Sequence, residues 1–289
     1  MNLTLFTVAG CVRCAIAKTF MAENGLAYEE LDAIAEGRER FGQCYRAHRG
    51  AIFRGKEGIE FPVLVQGDEI RQGVAAALAW LCAGTGLDGY IGRNELSKGW
   101  VGGVHVSGGA PAAVDGLVAV LGLLKANGLK LQLDTDGRNP AVLQRLLEHG
   151  IGDRVVMDLK GPKPLYSALV GSPIESEDVH RSMRLVVRFP EFRFETTVAP
   201  VPGTGEGPER LRYLTPDEIG ETALWLKEAT GSHRQPYVLR AFDPQSSASG
   251  RFRSAAAPPP GSLVRHRTAA RRHQVLSEIQ SSLDASSGP

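Results

Sequence analysis

The chain has 289 residues, of which 43% are hydrophobic and 22% charged, and its formal net charge is +1. This composition is typical of a globular protein with one large domain or two ordinary ones. The small net charge gives no reason to expect a nucleic acid or an anionic membrane as a partner. No apolar run reaches the roughly 18 to 20 residues of a membrane helix, and the first residues lack a signal-peptide pattern. We therefore expect a cytoplasmic protein.

The first 84 residues predict a small α/β domain. β-rich residues at 2–8 are followed by Gly10 and by helix formers that end at Asn24-Gly25, a C-cap signal. The later predicted elements are a strand at 28–31, a helix at 38–48, a strand that begins at Phe61-Pro62, a turn at Gly67-Asp68 and a helix at 74–82. This order of elements is typical of a thioredoxin-like domain.

Cys11 and Cys14 lie three positions apart at the start of the first predicted helix. Such a pair can be redox-active, half of a metal site, or buried and inert. Free N–H groups at a helix start favour a thiolate at Cys11, and Arg13 adds a positive charge. Because exposed cysteine pairs in a reducing compartment are usually functional, we favour redox chemistry. Cys82 and Cys44 are predicted to be structural, and a third redox or metal role for Cys44 stays open.

The segments "TLFTVAGCVRCAIAKTFMAENGLAYEELD" and "FPVLVQGDEIRQG" resemble the glutaredoxins. The resemblance implies that Cys11 is the nucleophile, that Cys14 resolves the mixed disulfide, and that a cis bond precedes Pro62 beside the pair. The loop "TVAG" lacks the lysine usual in that family. The segment "QGVAAAL" lacks the acid or hydroxyl of the family's glutathione-carboxylate site. A protein thiol, rather than glutathione, is therefore the predicted partner.

A glycine-rich linker is predicted at 85–99, followed by alternating strands and helices over 100–245. The predicted strands are 103–106, 129–133, 155–157, 192–198 and 237–242, and the predicted helices are 113–127, 140–149, 176–187 and 215–230. This alternation indicates parallel strands covered by helices. The predicted fold class is therefore α/β, with a thioredoxin-like domain followed by a parallel βα partial barrel.

Unusual residues follow three of these strands, in the segments "SGGAP", "LDTDGRNP" and "MDLKGP". Ligands of parallel α/β folds meet the carboxyl ends of the strands. The plainer interpretation is that the glycines make tight turns and the acids are solvated. We favour a retained small-molecule or peptide cleft.

Residues from about 103 to 243 resemble the radical S-adenosylmethionine activases of anaerobic ribonucleotide reductase and of pyruvate formate-lyase. "LYSALVGSP" matches a further signature of that family. The resemblance implies that the glycine motif receives the amino group of S-adenosylmethionine, through Gly108, Gly109 and Pro111. It places four further residues around the cofactor and the substrate peptide, namely Asp134, Asp136, Asp158 and Lys160.

The CxxxCxxC loop that holds a four-iron cluster in that family has no counterpart, since no cysteine follows Cys82. Ala110 stands where the family has a glutamate. No iron–sulfur cluster or metal site is predicted, and S-adenosylmethionine or a related nucleoside is expected to bind weakly. We therefore predict a thiol-disulfide oxidoreductase whose second domain binds a substrate or cofactor. A radical activase with an unconventional cluster and a non-catalytic partner of a glycyl-radical enzyme stay open.

The predicted partners are a protein thiol or disulfide and a glycyl-radical enzyme, with no nucleic acid and no membrane. Residues 246–289 include the low-complexity segment "QSSASGRFRSAAAPPPGSL" and are rich in arginine towards "VRHRTAARRH". The segment "VRHRTAARRHQVLSEIQSSL" could form a basic helix that docks on a partner, but we favour a disordered, solvated tail.

Overall fold

The computed structural model describes residues 3–92, 99–201, 212–246, 250–253, 255 and 261–280. Parts of the predicted linker (93–98) and of the predicted tail (247–249, 254, 256–260 and 281–289) lie outside the described residues. The chain forms two compact units, one of Met1–Leu133 with Arg145–Asp153 and one of Asp134–Gln144 with Arg154–Pro289. The domain boundaries predicted at 84, 99 and 245 stay a prediction.

The first part of the chain forms a four-stranded sheet with three helices. Its elements are β1 (Leu3–Thr7), α1 (Val12–Glu23), β2 (Glu29–Asp32), α2 (Arg38–Ala47), β3 (Arg54–Gly55), β4 (Gly58–Ile59), β5 (Val63–Gln66), β6 (Glu69–Gln72) and α3 (Val74–Ala83). The sheet order is β2-β1-β5-β6, with β1 parallel to β2 and antiparallel to β5, and with β5 antiparallel to β6. The predicted thioredoxin-like arrangement is confirmed. Strands β3 and β4 pair separately and were not predicted.

This sheet has an apolar core on each face. Successive residues of a strand point to opposite faces, so β1 contributes Leu5 to one core and Phe6 to the other. Leu5 packs with Met21 of α1 and with Ala77 of α3. Phe6 packs with a cluster that includes Phe41 of α2. Because each fully buried large side chain contributes about 1.5 to 3 kcal/mol, both helical layers are held firmly to the sheet.

A six-stranded parallel sheet follows in the order β14-β13-β10-β9-β8-β7. The elements of this part are β7 (Trp100–His105), α4 (Val114–Ala126), β8 (Lys130–Thr135), α5 (Pro140–Glu148), β9 (Arg154–Asp158), α6 (Tyr166–Val170), α7 (Ser176–Val186), β10 (Glu191–Val198), β11 (Pro200–Val201), β12 (Arg212–Tyr213), α8 (Pro216–Thr230), β13 (Tyr237–Ala241), α9 (Gly250–Arg253), α10 (Leu263–Ala270) and β14 (Ser277–Gln280). The predicted α/β fold class is confirmed.

The prediction of a disordered tail is wrong for residues 261–280. Helix α10 packs on α8, and β14 extends the sheet by parallel pairing with β13. Leu263, His266 and Ala270 of α10 are buried at helical spacing, so this arginine-rich segment has an apolar face. Gln274 is fully buried and accepts a hydrogen bond from the N–H of Gln235 at 2.9 Å. Composition alone indicated solvation, whereas these long-range contacts order the segment.

No helix in the described part of the chain is both long and apolar enough to cross a membrane.

Candidate functional site

Cys11 is the N-cap residue of α1 and is joined to Cys14 by a disulfide bond. The N–H of Cys14 donates a hydrogen bond to the Sγ of Cys11 at 3.1 Å. Cys11 is half-buried, whereas Cys14 is only 2% exposed. Of the two cysteines, Cys11 is therefore the more accessible to a thiolate from solvent.

The segment before β5 lies against this cysteine pair. The peptide bond between Phe61 and Pro62 is cis, as the glutaredoxin resemblance implied. The carbonyl oxygen of Phe61 lies 3.9 Å from the Sγ of Cys11. Pro62 is buried, and its carbonyl accepts a hydrogen bond from the N–H of Gly73 at 2.8 Å. The structure thus brings together Cys11, Cys14 and the segment of Pro62, and their catalytic role stays a prediction.

Arg13 has partners that the sequence did not indicate. Its guanidinium lies 3.7 Å from the carboxylate of Glu60 and donates to the carbonyl oxygen of Trp100. The side chains of Arg13 and Glu60 are only 11% and 15% exposed. The positive charge predicted beside Cys11 is therefore accompanied by a carboxylate that compensates it.

Glu60 also covers the start of α3. A Cβ built on Gly73 would lie 2.9 Å from the Cδ of Glu60, and Gly73 has a φ of +86°. The N–H groups at a helix start favour an anion, so the carboxylate lies at the positive end of α3. Burial raises the pKa of Glu60, and Arg13 opposes that shift. A carboxylate of the chain itself thus lies between Arg13 and the start of α3, and the sequence analysis missed it.

The other two cysteines are free thiols. Cys44 is half-buried against the core cluster of Phe6 and Phe41. Cys82 is exposed at the end of α3. Burial raises the pKa of both thiols, so neither is activated as a nucleophile.

The glycine motif packs against an earlier segment of the same unit. A Cβ on Gly108 would lie 2.2 Å from the carbonyl oxygen of Gly89, and a Cβ on Gly109 would lie 2.2 Å from the Cδ2 of Tyr90. Tyr90 is fully buried, and its hydroxyl donates to the carbonyl of Ala110 at 2.7 Å. Pro111 is exposed at the start of a short 3-10 turn. The close approach that these glycines permit is made by Gly89 and Tyr90, and a cofactor role for the motif stays a prediction.

Two of the predicted acidic residues flank Tyr166 in the second unit. The Tyr166 hydroxyl donates to the backbone carbonyl of Asp136 at 2.6 Å and lies 3.3 Å from that of Asp158. Burial, with the nearby charge of Asp158, raises the pKa of Tyr166 well above its ordinary value. The carboxylate of Asp136 accepts hydrogen bonds from the Nε of Arg138 at 3.0 and 3.1 Å. Asp134 lies in β8 and is half-buried.

Asp158 lies on a polar face of the parallel sheet. Its Oδ2 forms an ion pair with Lys160, and its Oδ1 is buried with no hydrogen-bond partner among the described residues. Asp158 is in register with Glu195 of β10, so both side chains are on the same face. Glu195 is only 6% exposed and pairs with Arg193 at 2.6 Å and Arg240 at 3.1 Å.

A second orphaned acceptor lies on this polar face. Gln280 is in register with Arg240, and within the described residues its buried Oε1 also has no hydrogen-bond partner. Buried polar atoms are almost always paired, so two such acceptors need an explanation. They lie on β9 and β14, which are separated in the sheet by β10 and β13. The sequence analysis identified Asp158 and Lys160 but missed Arg193, Glu195, Arg240 and Gln280.

The cysteines do not fit an iron–sulfur cluster in this structure. The thiolates that would hold iron at Cys11 and Cys14 are engaged in a disulfide bond. Within the described parts of the chain, no three His, Cys, Asp or Glu side chains are grouped so that they could hold a metal ion. No reaction step is therefore assigned to a cluster.

The fold and the cysteine pair define a mixed α/β protein with a thioredoxin-like sheet and a disulfide at the start of its first helix. No protein-family model matches the chain, and no curated protein matches it either. Solved structures that are similar to parts of it include the following three. One is the glutaredoxin-like protein NrdH-redoxin from Escherichia coli, which is described as having a thioredoxin-like activity profile. It is 27% identical, with 26% of this chain and 84% of that chain covered and a TM-score of 0.20.

A domain of a pyruvate-formate lyase-activating enzyme from Bacteroides vulgatus is 15% identical, with 63% of this chain and 100% of that chain covered and a TM-score of 0.42. The HMG-CoA lyase of Brucella melitensis is 13% identical, with 63% of this chain and 68% of that chain covered and a TM-score of 0.32. All three TM-scores are low, so none of these similarities indicates a function.

Proposed function

We propose that the protein is a thiol-disulfide oxidoreductase that acts through Cys11 and Cys14 on a protein thiol or disulfide. The observation that carries this proposal is the Cys11–Cys14 disulfide at the start of α1, with Cys11 half-buried and Cys14 buried. The Cys14 N–H and the positive end of α1 both favour negative charge on the Cys11 sulfur. The more accessible cysteine is thus also the better-stabilised thiolate.

The exchange proceeds in two displacements. A substrate thiolate attacks the Sγ of Cys11, a new substrate–Cys11 disulfide forms, and Cys14 leaves as a thiolate that takes a proton from solvent. A second substrate thiolate then attacks the substrate sulfur of the mixed disulfide and releases Cys11 as a thiolate. The two substrate thiols are oxidised to one disulfide, and the cysteine pair receives two electrons. The reverse sequence reduces a substrate disulfide.

For the second unit we propose a binding role at the polar face of the parallel sheet. The buried, unpaired Oδ1 of Asp158 supports it, because a donor on a ligand would satisfy that oxygen. S-adenosylmethionine or a related nucleoside carries such donors, and a peptide of a glycyl-radical enzyme carries backbone N–H groups. If the cysteine pair is inert, this binding role would make the protein a non-catalytic partner of a glycyl-radical enzyme.

The test of the redox proposal compares Cys11→Ser with Cys14→Ser. In the reduced protein the Cys11 thiol should ionise below the roughly 8.5 of a free cysteine, measured by alkylation rate against pH. Cys11→Ser should abolish exchange with a protein disulfide. Cys14→Ser should accumulate the mixed disulfide, because the resolving thiol is gone.

Cys82→Ser is the matched control, because it removes an exposed thiol far along the chain from the pair and should leave exchange unchanged. Alkylation of Cys11 at the rate of a model thiol at every pH would contradict the proposal. Iron analysis of the same protein, purified without oxygen, addresses the remaining alternative. About four irons per chain that are lost in Cys11→Ser would favour the radical activase.

A further inference from the structure

A cavity of about 320 Å³ lies in the first unit, with Glu60 in its wall. Its lining includes Glu60, Arg71, Gln72, Trp80, Leu87 and Asp88. Glu60 directly precedes Phe61, whose carbonyl oxygen lies 3.9 Å from the Cys11 sulfur. The volume is in the range of small-molecule sites. The cavity therefore shares Glu60 with the surroundings of Arg13 and has room for part of a substrate.

The guanidinium of Arg71 in the cavity wall is already paired with acidic residues of the chain. The Arg71 guanidinium lies 4.4 Å above the Trp80 ring and pairs with Asp88 at 3.5 Å and with Glu69 at 3.1 Å. The side chain of Gln72 is held by two hydrogen bonds to the backbone of Phe53, at 2.7 and 2.8 Å. The wall thus presents two carboxylates, and its guanidinium is shared between acids of the chain.

Two positively charged groups lie beside the cysteine pair, the Arg13 guanidinium and the N-terminal end of α3, and both already face a carboxylate of the chain. Glu60 pairs with Arg13 and covers the start of α3 at Gly73. An incoming carboxylate would be attracted to Arg13 and to this helix start, and it would meet Glu60 at both. Like charges at such distances repel, and the repulsion is strongest where water is partly excluded.

We propose that Glu60 determines the charge specificity of the redox site, so that neutral or cationic thiols react and carboxylate-bearing thiols are disfavoured. This inference rests on the proposed oxidoreductase function and adds the class of its substrate. The covalent step is the one given above: the thiolate forms a disulfide with Cys11 and Cys14 leaves as a thiolate. Every competing thiol attacks as a thiolate, so selectivity depends on the charge elsewhere on the molecule.

The experiment uses the full chain with its disulfide intact and three small thiols as probes. Cysteamine carries an ammonium group, 2-mercaptoethanol is neutral and 3-mercaptopropionate carries a carboxylate. Formation of the mixed disulfide is followed by quenched mass spectrometry at low ionic strength. Rate constants are expressed per thiolate and compared as ratios between variants, in which the intrinsic nucleophilicity of each thiol cancels.

Glu60→Gln removes the charge and keeps the shape of the side chain. We expect the ratio of the 3-mercaptopropionate to the 2-mercaptoethanol rate constant to rise about tenfold, and the cysteamine ratio to fall. Glu57→Gln is the matched control, because Glu57 is an exposed carboxylate in the same loop. It should change neither ratio. Glu60→Asp, which keeps the charge, should stay closer to the unaltered protein than Glu60→Gln does.

A measurement on the unaltered protein covers the case in which Glu60→Gln does not fold. Raising the ionic strength from about 0.01 M to about 1 M shortens the Debye length from about 30 Å to about 3 Å and should move the ratios of the three rate constants to those measured with a small-molecule disulfide, where only intrinsic nucleophilicity differs. Unchanged ratios in both the salt series and Glu60→Gln would overturn the inference, as would an equal effect of Glu57→Gln. If no thiol reacts with the disulfide, the oxidoreductase proposal itself fails. Reaction without charge selectivity overturns only the role of Glu60.

Discussion

Gly109 and Tyr90 form one of the tightest contacts of the first unit. The Tyr90 ring occupies the space that a side chain at position 109 would need, with ring atoms 2.2 to 2.4 Å from an ideal Cβ. Its hydroxyl is anchored on the carbonyl of Ala110. Neither partner can move away without breaking a part-buried hydrogen bond or exposing an aromatic ring. The glycine is therefore required by packing, whatever else the motif binds.

We predict that Gly109→Ala destabilises the protein by about 1 to 3 kcal/mol, because the added methyl group overpacks the Tyr90 ring. Urea unfolding gives the change in the free energy of unfolding. Gly122→Ala in α4 is the matched control, since its nearest neighbour to a Cβ is Ile151 at 4.0 Å. Alanine in a helix interior should raise stability there by about 0.5 to 1 kcal/mol.

The double variant Gly109→Ala with Tyr90→Ala identifies the cause of the loss. If the ring is the obstacle, the two losses are strongly non-additive, because truncating the ring makes room for the methyl group. Additive losses would contradict the packing explanation.

At the residue scale, features that depend only on neighbouring residues were predicted correctly from the sequence. The helix start at Cys11 and the loop before β5 follow from adjacent residues and short-range turn chemistry. The Glu60–Arg13 pair and the Tyr90–Gly109 contact join residues distant in the chain, so no local pattern indicates them. The sequence thus singled out Arg13 and Gly109, but it did not identify Glu60 and Tyr90 as their partners.

Helix α8 begins with a complete set of capping interactions. The N–H of Glu218 donates to the Thr215 hydroxyl at 3.2 Å, and the Glu218 carboxylate accepts from the N–H of Thr215 at 2.8 Å. Arg212 adds two hydrogen bonds to that carboxylate, at 2.7 and 2.8 Å. Burial raises the pKa of Glu218, but the bonds from Arg212 and Thr215 outweigh it and the pKa is lowered from 4.5.

The lowered pKa predicts a pH dependence of stability. A carboxyl whose folded pKa lies below its unfolded value stabilises the fold above that unfolded value, 4.5, and loses the contribution as pH falls through the folded pKa. Glu218→Gln should therefore lower stability by about 1 kcal/mol at neutral pH and flatten its decline at acid pH. Chemical unfolding across the acid range measures both.

Glu221→Gln is the control on the same helix, because Glu221 is exposed one turn further along. It should shift stability by less than about 0.5 kcal/mol at any pH. A parallel pH dependence in Glu218→Gln and the unaltered protein would contradict the capping argument.

Most elements were predictable because their apolar periodicity and caps lie within the element itself. The start of α8 is indicated within four consecutive residues, by Thr215, Pro216 and Glu218. Strand β14 differs, since "SEIQ" has no strand pattern and is held by pairing with β13. The short strands β3 and β4 likewise depend on each other. Elements stabilised mainly by distant partners were the ones missed.

At the scale of the whole molecule, the described residues combine a disulfide pair with a polar face on a parallel sheet. Asp158, Glu195, Arg240 and Gln280 share that face through the register of β9, β10, β13 and β14. The sequence indicated the strand ends at this face. The ion pairs within the strands were not predictable, because which face a charge occupies depends on the register.

We predict weak binding of S-adenosylmethionine to the polar face, with a dissociation constant nearer about 1 mM than about 1 μM. A few hydrogen bonds of about 0.5 to 1.5 kcal/mol each give no more once association entropy is counted. Asp158→Asn should weaken binding several-fold, because a cationic ligand loses an anionic acceptor. Titration calorimetry measures both constants.

Glu177→Gln on α7 is the control, since it removes an exposed carboxylate of the same unit. It should leave the affinity unchanged. Absence of saturable binding, or equal affinities for the unaltered protein and Asp158→Asn, would remove the support for this ligand.

In the large sheet the strands lie side by side in the order in which they occur along the chain, β7-β8-β9-β10-β13-β14. During synthesis each of these strands leaves the ribosome after the neighbour on which it pairs. Synthesis proceeds at about 5 to 20 residues per second, so each strand is made after the strand beside which it pairs. No strand must therefore be inserted between two others. The incomplete sheet meanwhile presents a growing, unpaired edge to the cell. The strand at residues 277–280 is the last to cover that edge, so premature termination before it would leave β13 open to pairing with other chains.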